Sequence, residues 1–182
     1  FIYPFGVINS KFIISCYPRA FNWISDLIKT YSFKYKKDYG IEHKMYWCGV
    51  NCRSKILSKK NNSQSIKITY VGSFRKIHAL KQLIDLVKKY EIIEATLVGS
   101  GDESQNLYEY VKKINLTKRI EFKGSLESSK WIPIVQKSDF TWGVINKNCH
   151  GVPIKVFESI YMGKISLVSN LEEFQDLKEK GW

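Results

Sequence analysis

From Ile66 onward the chain alternates short β-rich runs with stretches of helical periodicity, and this alternation limits the fold more than any other feature. Ile66–Ser73 is an apolar, β-branched run ending in Gly-Ser. Ile77–Tyr90 then places Leu80, Leu83, Ile84 and Val87 at helical spacing with Lys and Asp between them. Ala95–Val98 is a second strand, closed by Gly99-Ser100-Gly101. Asp102–Ile114 is a helix with Leu107, Tyr110, Val111 and Ile114 on one face and Asp102 as its expected N-cap. Arg119–Lys123 (a strand ending at Gly124), Ser128–Gln136 (a helix), Asp139–Ile145 (a strand), Pro153–Met162 (a helix stopped by Gly163) and Ile165–Ser169 (a strand) continue the pattern, and Glu172–Lys180 begins a last helix. Five strands separated by helices predict an α/β protein with a doubly wound parallel sheet, because parallel neighbours need a crossover that covers the sheet face. Such folds bind ligands in the loops at the carboxyl ends of the strands. Here those loops hold the clustered Gly, Ser and basic residues.

Residues 1–65 differ. Ile13–Ser15 has strand character and Trp23–Ile28 helical character, Ser32–Lys44 is polar and basic, and Leu57–Ser65 has the composition of an exposed linker. The domain division expected is therefore 1–60, an extension with its linker, and 61–182, the Rossmann-like domain. Charge is uneven in the same way. Residues 1–65 carry 11 Lys/Arg against 3 Asp/Glu, net +8, while residues 66–182 carry 18 against 14, net +4. A basic balance suits nucleic acid, anionic lipid or phosphorylated ligands. No nucleic-acid signature accompanies it, so nucleic acid is not an expected partner. The alternatives left are peripheral docking on an anionic membrane face and a merely soluble basic surface. No run approaches the roughly 18 apolar residues needed to span a bilayer, and Phe1–Ser10 lacks a basic leader and cleavage site, so a cytoplasmic setting is expected. Cys16, Cys48, Cys52 and Cys149 have neither disulfide-scaffold nor paired zinc-ligand spacing, and no metal site is expected.

The segment richest in chemistry is His150-Gly151-Val152-Pro153-Ile154-Lys155-Val156-Phe157-Glu158. A strand ends just before it and a glycine turn opens a helix at Pro153, which suits a first turn because it has no amide to orphan. The free amides of that turn favour an anion. Lys155 adds a point charge, and Glu158 lies where a carboxylate can accept hydrogen bonds from ribose hydroxyls. On spacing alone, a plain surface helix after a turn accounts for these residues equally well. Tyr70-Val71-Gly72-Ser73-Phe74-Arg75-Lys76 is a strand running into a glycine loop with two adjacent basic residues, either of them suited to a phosphate or simply solvated. Gly99-Ser100-Gly101 is a second glycine turn that can mark only a tight bend.

Together these segments resemble the retaining GT-B glycosyltransferases of the glycosyl transferase group 1 family, over roughly Ser65 to Gly181. In that family the signature segment carries two glutamates. The resemblance implies that Glu158 is the second, holding the ribose of the donor nucleotide, and that Gly163 is the helix-ending glycine. His150 stands where the family has the first glutamate, beside the transferred sugar; as a sugar contact or only a loop residue, both readings stay open. The resemblance further implies diphosphate contacts from Arg75 and Lys76, with Lys76 favoured, and catalytic-side roles for Lys76, Arg75 and Glu158. It implies substrate contacts along Gly72, Ser73, Gly99, Gly101 and Gly124, and along Gly151, Val152, Pro153, Ile154 and Lys155. The Phe122–Leu126 loop falls where the family reads the base through its backbone.

Tyr46-Trp47-Cys48-Gly49-Val50-Asn51 is similar to the family's Asn-Gly-Val-Asp stretch, which would make residues 1–51 the tail of an acceptor-binding domain in a protein about twice this length. The expected function is that of the C-terminal, donor-binding domain of a retaining hexosyltransferase. It would move sugar from a UDP- or GDP-sugar to a glycan or lipid-linked acceptor in bacterial surface polysaccharide synthesis. It would use no metal or other cofactor, as no Asp-x-Asp cluster is present, and little turnover is expected of this stretch by itself. The alternative is a catalytically inactive Rossmann-like nucleotide-binding module. A dinucleotide oxidoreductase is disfavoured because no Gly-x-Gly-x-x-Gly follows the first strand.

Overall fold

A computed structural model of the chain describes residues 12–15, 42–45, 64–146, 152–171 and 174–175. Two compact units result, one of residues 1–49 with 150–152, the other of residues 50–149 and 153–182. In the first, β1 (Phe12–Ser15) pairs in parallel with β2 (Glu42–Met45), from Phe12 opposite Glu42 to Ser15 opposite Met45. The first strand sits where sequence placed one. The second, Glu-His-Lys-Met, falls at the end of the polar stretch and has no apolar alternation to announce it.

The second unit is built on a five-stranded parallel sheet. Its strands are β3 (Ile66–Val71), β4 (Ile93–Val98), β5 (Ile120–Gly124), β6 (Phe140–Trp142) and β7 (Ile165–Leu167), in the spatial order β5-β4-β3-β6-β7. Four helices join them: α1 (Leu80–Lys89), α2 (Ser104–Lys113), α3 (Ser128–Gln136) and α4 (Ile154–Tyr161). The predicted doubly wound α/β sheet is the sheet observed. One face carries Ile68, Tyr70, Ala95, Leu97 and Ile120, and α1 covers it with Leu80, Leu83, Ile84 and Val87, the four residues whose helical spacing announced the element. Each such side chain, once buried, contributes about 1.5–3 kcal/mol. Leu107 and Val111 of α2 complete this layer.

The order of strands decides where a ligand can sit. Chain growth runs β3-β4-β5 toward one edge, then crosses back so that β6 and β7 extend the sheet from the other side of β3. At that reversal the connections leaving β3 and β6 turn to opposite faces and open a crevice beyond the strand ends.

Element boundaries depart from the sequence reading at points with physical causes. The helix expected over Ile77–Tyr90 is a 3₁₀ turn (Lys76–His78) followed by α1, separated by Ala79 in the left-handed region at φ 50°. A continuous helix would need the carbonyl of His78. Trp142 takes that carbonyl instead, through its indole N–H at 3.0 Å, while the Asn146 side-chain amide takes the Lys76 carbonyl at 2.6 Å. The Gln82 amide turns to the Ala79 carbonyl, so the helix restarts there. Asp102 is not the cap of α2. The N-cap is Glu103 without a side-chain bond, and the Ser104 hydroxyl accepts from the Gly101 amide at 2.9 Å. The β6 ladder ends at Trp142 rather than Ile145, where the Ile145 amide donates to the Ser169 hydroxyl. Pro153 is the N-cap of α4, not its first residue. The expected Trp23–Ile28 helix, the Leu57–Ser63 part of the linker, the four cysteines, and all of the Glu172–Lys180 helix except 174–175 lie outside the described residues.

Candidate functional site

The loops leaving β3, β4 and β5 are laced together by backbone before any side chain acts. The Gly72 amide donates to the Val98 carbonyl at 2.9 Å, and the Gly99 amide to the Gly124 carbonyl at 2.7 Å. The Phe74 amide reaches the Ser100 carbonyl at 2.9 Å, and the Phe74 carbonyl accepts from Glu103 at 3.0 Å. Such close approach requires glycine. At Gly99, φ is +133° and a Cβ would overlap the carbonyl oxygen of Gly72. A Cβ on Gly72, at φ +146°, would stand 2.9 Å from the Lys155 ammonium. The glycines that marked turns in the sequence are the ones that let three strand ends share one rim.

Lys155 reaches the crevice between β3 and β6 from the first turn of α4. Its ammonium donates to the Tyr70 hydroxyl at 3.0 Å, lies 4.2 Å from the centre of the Tyr70 ring, and stands 3.4 Å from Nδ1 of His78. The Tyr70 hydroxyl in turn donates to the Ser73 carbonyl at 2.6 Å, and burial holds its pKa well above the ordinary phenol value. His78 Nε2 faces the Ser73 hydroxyl at 3.5 Å. The neutral tautomer with its proton on Nε2 fits both neighbours, donating to Ser73 and accepting from Lys155. Burial first, then the charges of Lys155 and Arg75, push the imidazole pKa down to about 4. The 3₁₀ turn that carries His78 is held by the Trp142 and Asn146 side-chain hydrogen bonds described above, with the Asn146 backbone amide donating to the Ile77 carbonyl at 2.8 Å. The result is a cationic corner, with Lys155 charged and His78 neutral, at the mouth of the topological switch point.

Glu158 lies one turn further along α4. It lines a small cavity with Thr69, Thr141 and Trp131, and burial raises its carboxyl pKa while the Lys155 charge partly offsets that. Arg75 and Lys76 are both exposed and line a groove of about 410 Å³ with Asn146 and the start of α1. The loop therefore does not turn one of the pair inward and the other out. Ser73 is exposed, Ile154 is exposed, and Val152 is buried. Gly101 packs under Phe74, where a Cβ would come within 2.6 Å of its carbonyl oxygen, while Gly124 takes a left-handed turn at φ +64° into open space. His150 and Gly151 lie outside the described residues. Sequence reasoning missed His78 altogether, because two charged neighbours drew attention from a histidine two residues on. Tyr70 was counted only as part of a strand. The one available signal was the His at the end of the turn that precedes a helix facing the crevice. Among the described residues no group of three or more His, Cys, Asp or Glu side chains gathers to hold a metal ion. Nor is any helix there long and apolar enough to cross a membrane.

A doubly wound sheet with glycine-rimmed strand ends and a cationic corner at its switch point defines a Rossmann-like α/β domain built to hold a ligand at the carboxyl ends of its strands. The sequence profile of the family described as glycosyl transferases group 1 matches residues 53–181. The chain belongs to that family. Solved structures share the fold at low identity. A lipopolysaccharide outer core galactosyltransferase, WaaB, in its apo form superposes with TM-score 0.64 at 13% identity, covering 88% of this chain and 43% of that one. Anabaena Alr3699/HepE in complex with UDP and glucose gives 0.66 at 14%, covering 92% and 46%. The sucrose-phosphate synthase tll1590 from Thermosynechococcus elongatus gives 0.69 at 15%, covering 95% and 44%. This chain thus spans less than half the length of each. No curated protein sequence matches it closely enough to count as a relative.

Proposed function

We propose that this chain is the donor-binding half of a retaining glycosyltransferase, which moves a hexose from a nucleotide-sugar to a glycan or lipid-linked acceptor in bacterial surface polysaccharide synthesis. The observation that carries the reading is the Lys155–Tyr70–His78 corner at the switch point of a sheet that belongs to this family. A diphosphate seated there would meet the Lys155 ammonium, the His78 ring and the amides of the glycine rim. These groups supply the charge compensation that the departing nucleoside diphosphate needs as the sugar leaves, without calling on a metal ion. Glu158 follows on the same helix, at the reach of a ribose. Arg75 and Lys76 stand on the outer lip, where they steer the anion electrostatically. Acceptor groups and the other wall of the cleft would come from another domain. The chain by itself would then bind donor and turn over little.

UDP is the first ligand to try, since the Anabaena structure similar to this fold holds it. Titration with UDP, GDP and ADP against NAD separates this reading from a dinucleotide enzyme, and binding of NAD alone would reject it. The diphosphate contribution is read as the affinity gap between a nucleoside diphosphate and its nucleoside. Lys155→Ala should shrink that gap by about 1.5–3 kcal/mol, the range for charge-assisted contacts. Arg75→Ala and Lys76→Ala, on exposed side chains, should shrink it by less and only at low salt. The second reading, an inactive nucleotide-binding module, draws on His150 in the place of the first signature glutamate. It predicts the same binding but no sugar transfer even when the complementary domain is present.

A further inference from the structure

The cavity lined by Glu158 lies between the sheet and helices α3 and α4, and it measures about 10 Å³. A space of roughly 10–15 Å³ admits one water molecule, provided two to four polar groups face it. From the sheet come Thr69 of β3 and Thr141 of β6, register neighbours that lie side by side on one face. They are 3% and 5% exposed. The Thr141 hydroxyl is buried without any hydrogen-bond partner. From α4 come Lys155, Glu158 and Ser159. The Ser159 hydroxyl is already engaged, donating to the Lys155 carbonyl at 2.6 Å. The Glu158 carboxyl is half-buried, and only the Lys155 charge works against the rise in pKa that burial causes.

A hydroxyl without a partner and a desolvated carboxyl thus share one water-sized space. Each carries a burial cost that a single hydrogen-bonded bridge would relieve. We infer that this cavity binds one water molecule, which accepts from the Thr141 hydroxyl and donates to the Glu158 carboxylate, so that Thr141 is a positioning residue for Glu158. Its functional consequence rests on the donor-binding reading above, in which that carboxylate meets the ribose. An ionised carboxylate is acceptor-only and can take hydrogen bonds from both ribose hydroxyls, whereas a protonated one gives up part of that capacity. Burial by itself favours the protonated form. The groups that face Glu158 from β3, β6 and α3 (Thr69, Thr141 and Trp131) are neutral, and Lys155 on its own helix is the one charge lining the cavity with it. A bridge from Thr141 adds a donor on the sheet side, which keeps the carboxylate ionised and fixes its direction.

Thr141→Val removes the hydroxyl at nearly constant volume, and Thr141→Ser keeps it. In the free protein, an NMR titration of glutamate carboxyls, with Glu158→Gln to identify the resonance, should show the Glu158 pKa raised further in Thr141→Val. Thr141→Ser should leave it near its position in the unmodified protein. Binding is read with UDP, GDP and ADP, each against its 2′-deoxy form. Preference for the ribose form should fall by about 2- to 10-fold in Thr141→Val, the worth of one hydrogen bond, and recover in Thr141→Ser. A denaturant titration at pH 7 gives the opposite sign for the rival case. If the hydroxyl holds nothing, Thr141→Val removes its burial cost and is the more stable protein; if it holds the bridge, Thr141→Val is the less stable. A gain in stability, or a Glu158 titration unmoved by Thr141→Val, overturns the inference while leaving donor binding intact. If none of the nucleotides binds, the donor-binding reading falls, and the NMR titration still decides whether Thr141 acts on Glu158.

Discussion

Glu158 and His78 show how one helix and one turn give two titratable groups different tasks. Burial raises the carboxyl pKa of Glu158 and lowers that of the His78 imidazole, since each is favoured in its uncharged form. If Glu158 accepts hydrogen bonds from ribose hydroxyls, Glu158→Gln should weaken nucleotide binding by about 1.5–3 kcal/mol, with the thermal midpoint little changed. Unaltered affinity in calorimetry would remove Glu158 from the site. For His78 the sign follows from its surroundings. Lys155 and Arg75 face it with positive charge, and Tyr70 and Ser73 offer only neutral groups. With its pKa at about 4 in the free protein, against about 6.5 unfolded, the histidine's stabilising neutrality is complete above pH 6.5. It is lost as pH falls from there toward 4. A bound diphosphate reverses the local field and raises that pKa. Nucleotide-sugar affinity should therefore climb between pH 7 and pH 5, with proton uptake detectable by calorimetry in two buffers of unlike ionisation enthalpy. A nucleotide-sugar is the right probe because its own diphosphate does not titrate there. His78→Gln should abolish the uptake; persistence of the uptake would assign it to another group.

At the level of elements, the turn between β3 and α1 is where local preference and tertiary demand part. Apolar spacing over Ile77–Tyr90 suits a continuous helix, but the carbonyls of Lys76 and His78 are claimed by Asn146, just beyond β6, and by Trp142 at its end. The chain pivots at Ala79, which adopts φ 50° while 6% exposed. A non-glycine residue there costs about 1–2 kcal/mol of backbone strain. Ala79→Gly should recover part of it, less the added unfolded-state entropy of glycine, and raise stability by up to about 1 kcal/mol in a denaturant titration. A clear loss of stability would mean that the Ala79 methyl matters more to packing than the strain does. Helix α3 matched its sequence boundaries, Ser128–Gln136, even with Pro133 inside it. Helix α1 did not, because side chains of Trp142 and Asn146 take the carbonyls of the turn that would have been its first residues.

Over the whole chain, charge is the property that extends beyond the sheet. The net +8 of residues 1–65, with Phe21, Trp23, Tyr31 and Phe33 among them, suits docking on an anionic membrane face where lipid-linked acceptors would be met. The same aromatics would serve equally as core of an acceptor-binding domain. Co-sedimentation with liposomes with and without anionic lipid separates the two. Recovery should be higher with anionic lipid and fall as salt is raised, whereas equal recovery on both kinds of vesicle rejects the membrane role.

Periodicity along one chain was enough to determine the class of fold. Leu80, Leu83, Ile84 and Val87 declare a helix by spacing, β-branched runs declare strands, and alternation of the two leaves little choice but a parallel sheet. Gly72 and Gly99 were legible for a like reason, since a turn that brings strand ends together leaves little room for a side chain, and Gly124 because its turn takes a left-handed φ of +64°. Lys155 was legible through its place after a glycine-proline turn. What sequence could not decide is which strands become neighbours across the reversal. Only the order β5-β4-β3-β6-β7 brings Tyr70 and His78 beside Lys155, residues separated by 85 and 77 positions. The turn that carries His78 is held by hydrogen bonds from Trp142 and Asn146, made from 64 and 70 positions away. Local pattern carries the period of burial, which each segment expresses by itself. The site arises from contacts between segments, and those exist only once the sheet has closed around them.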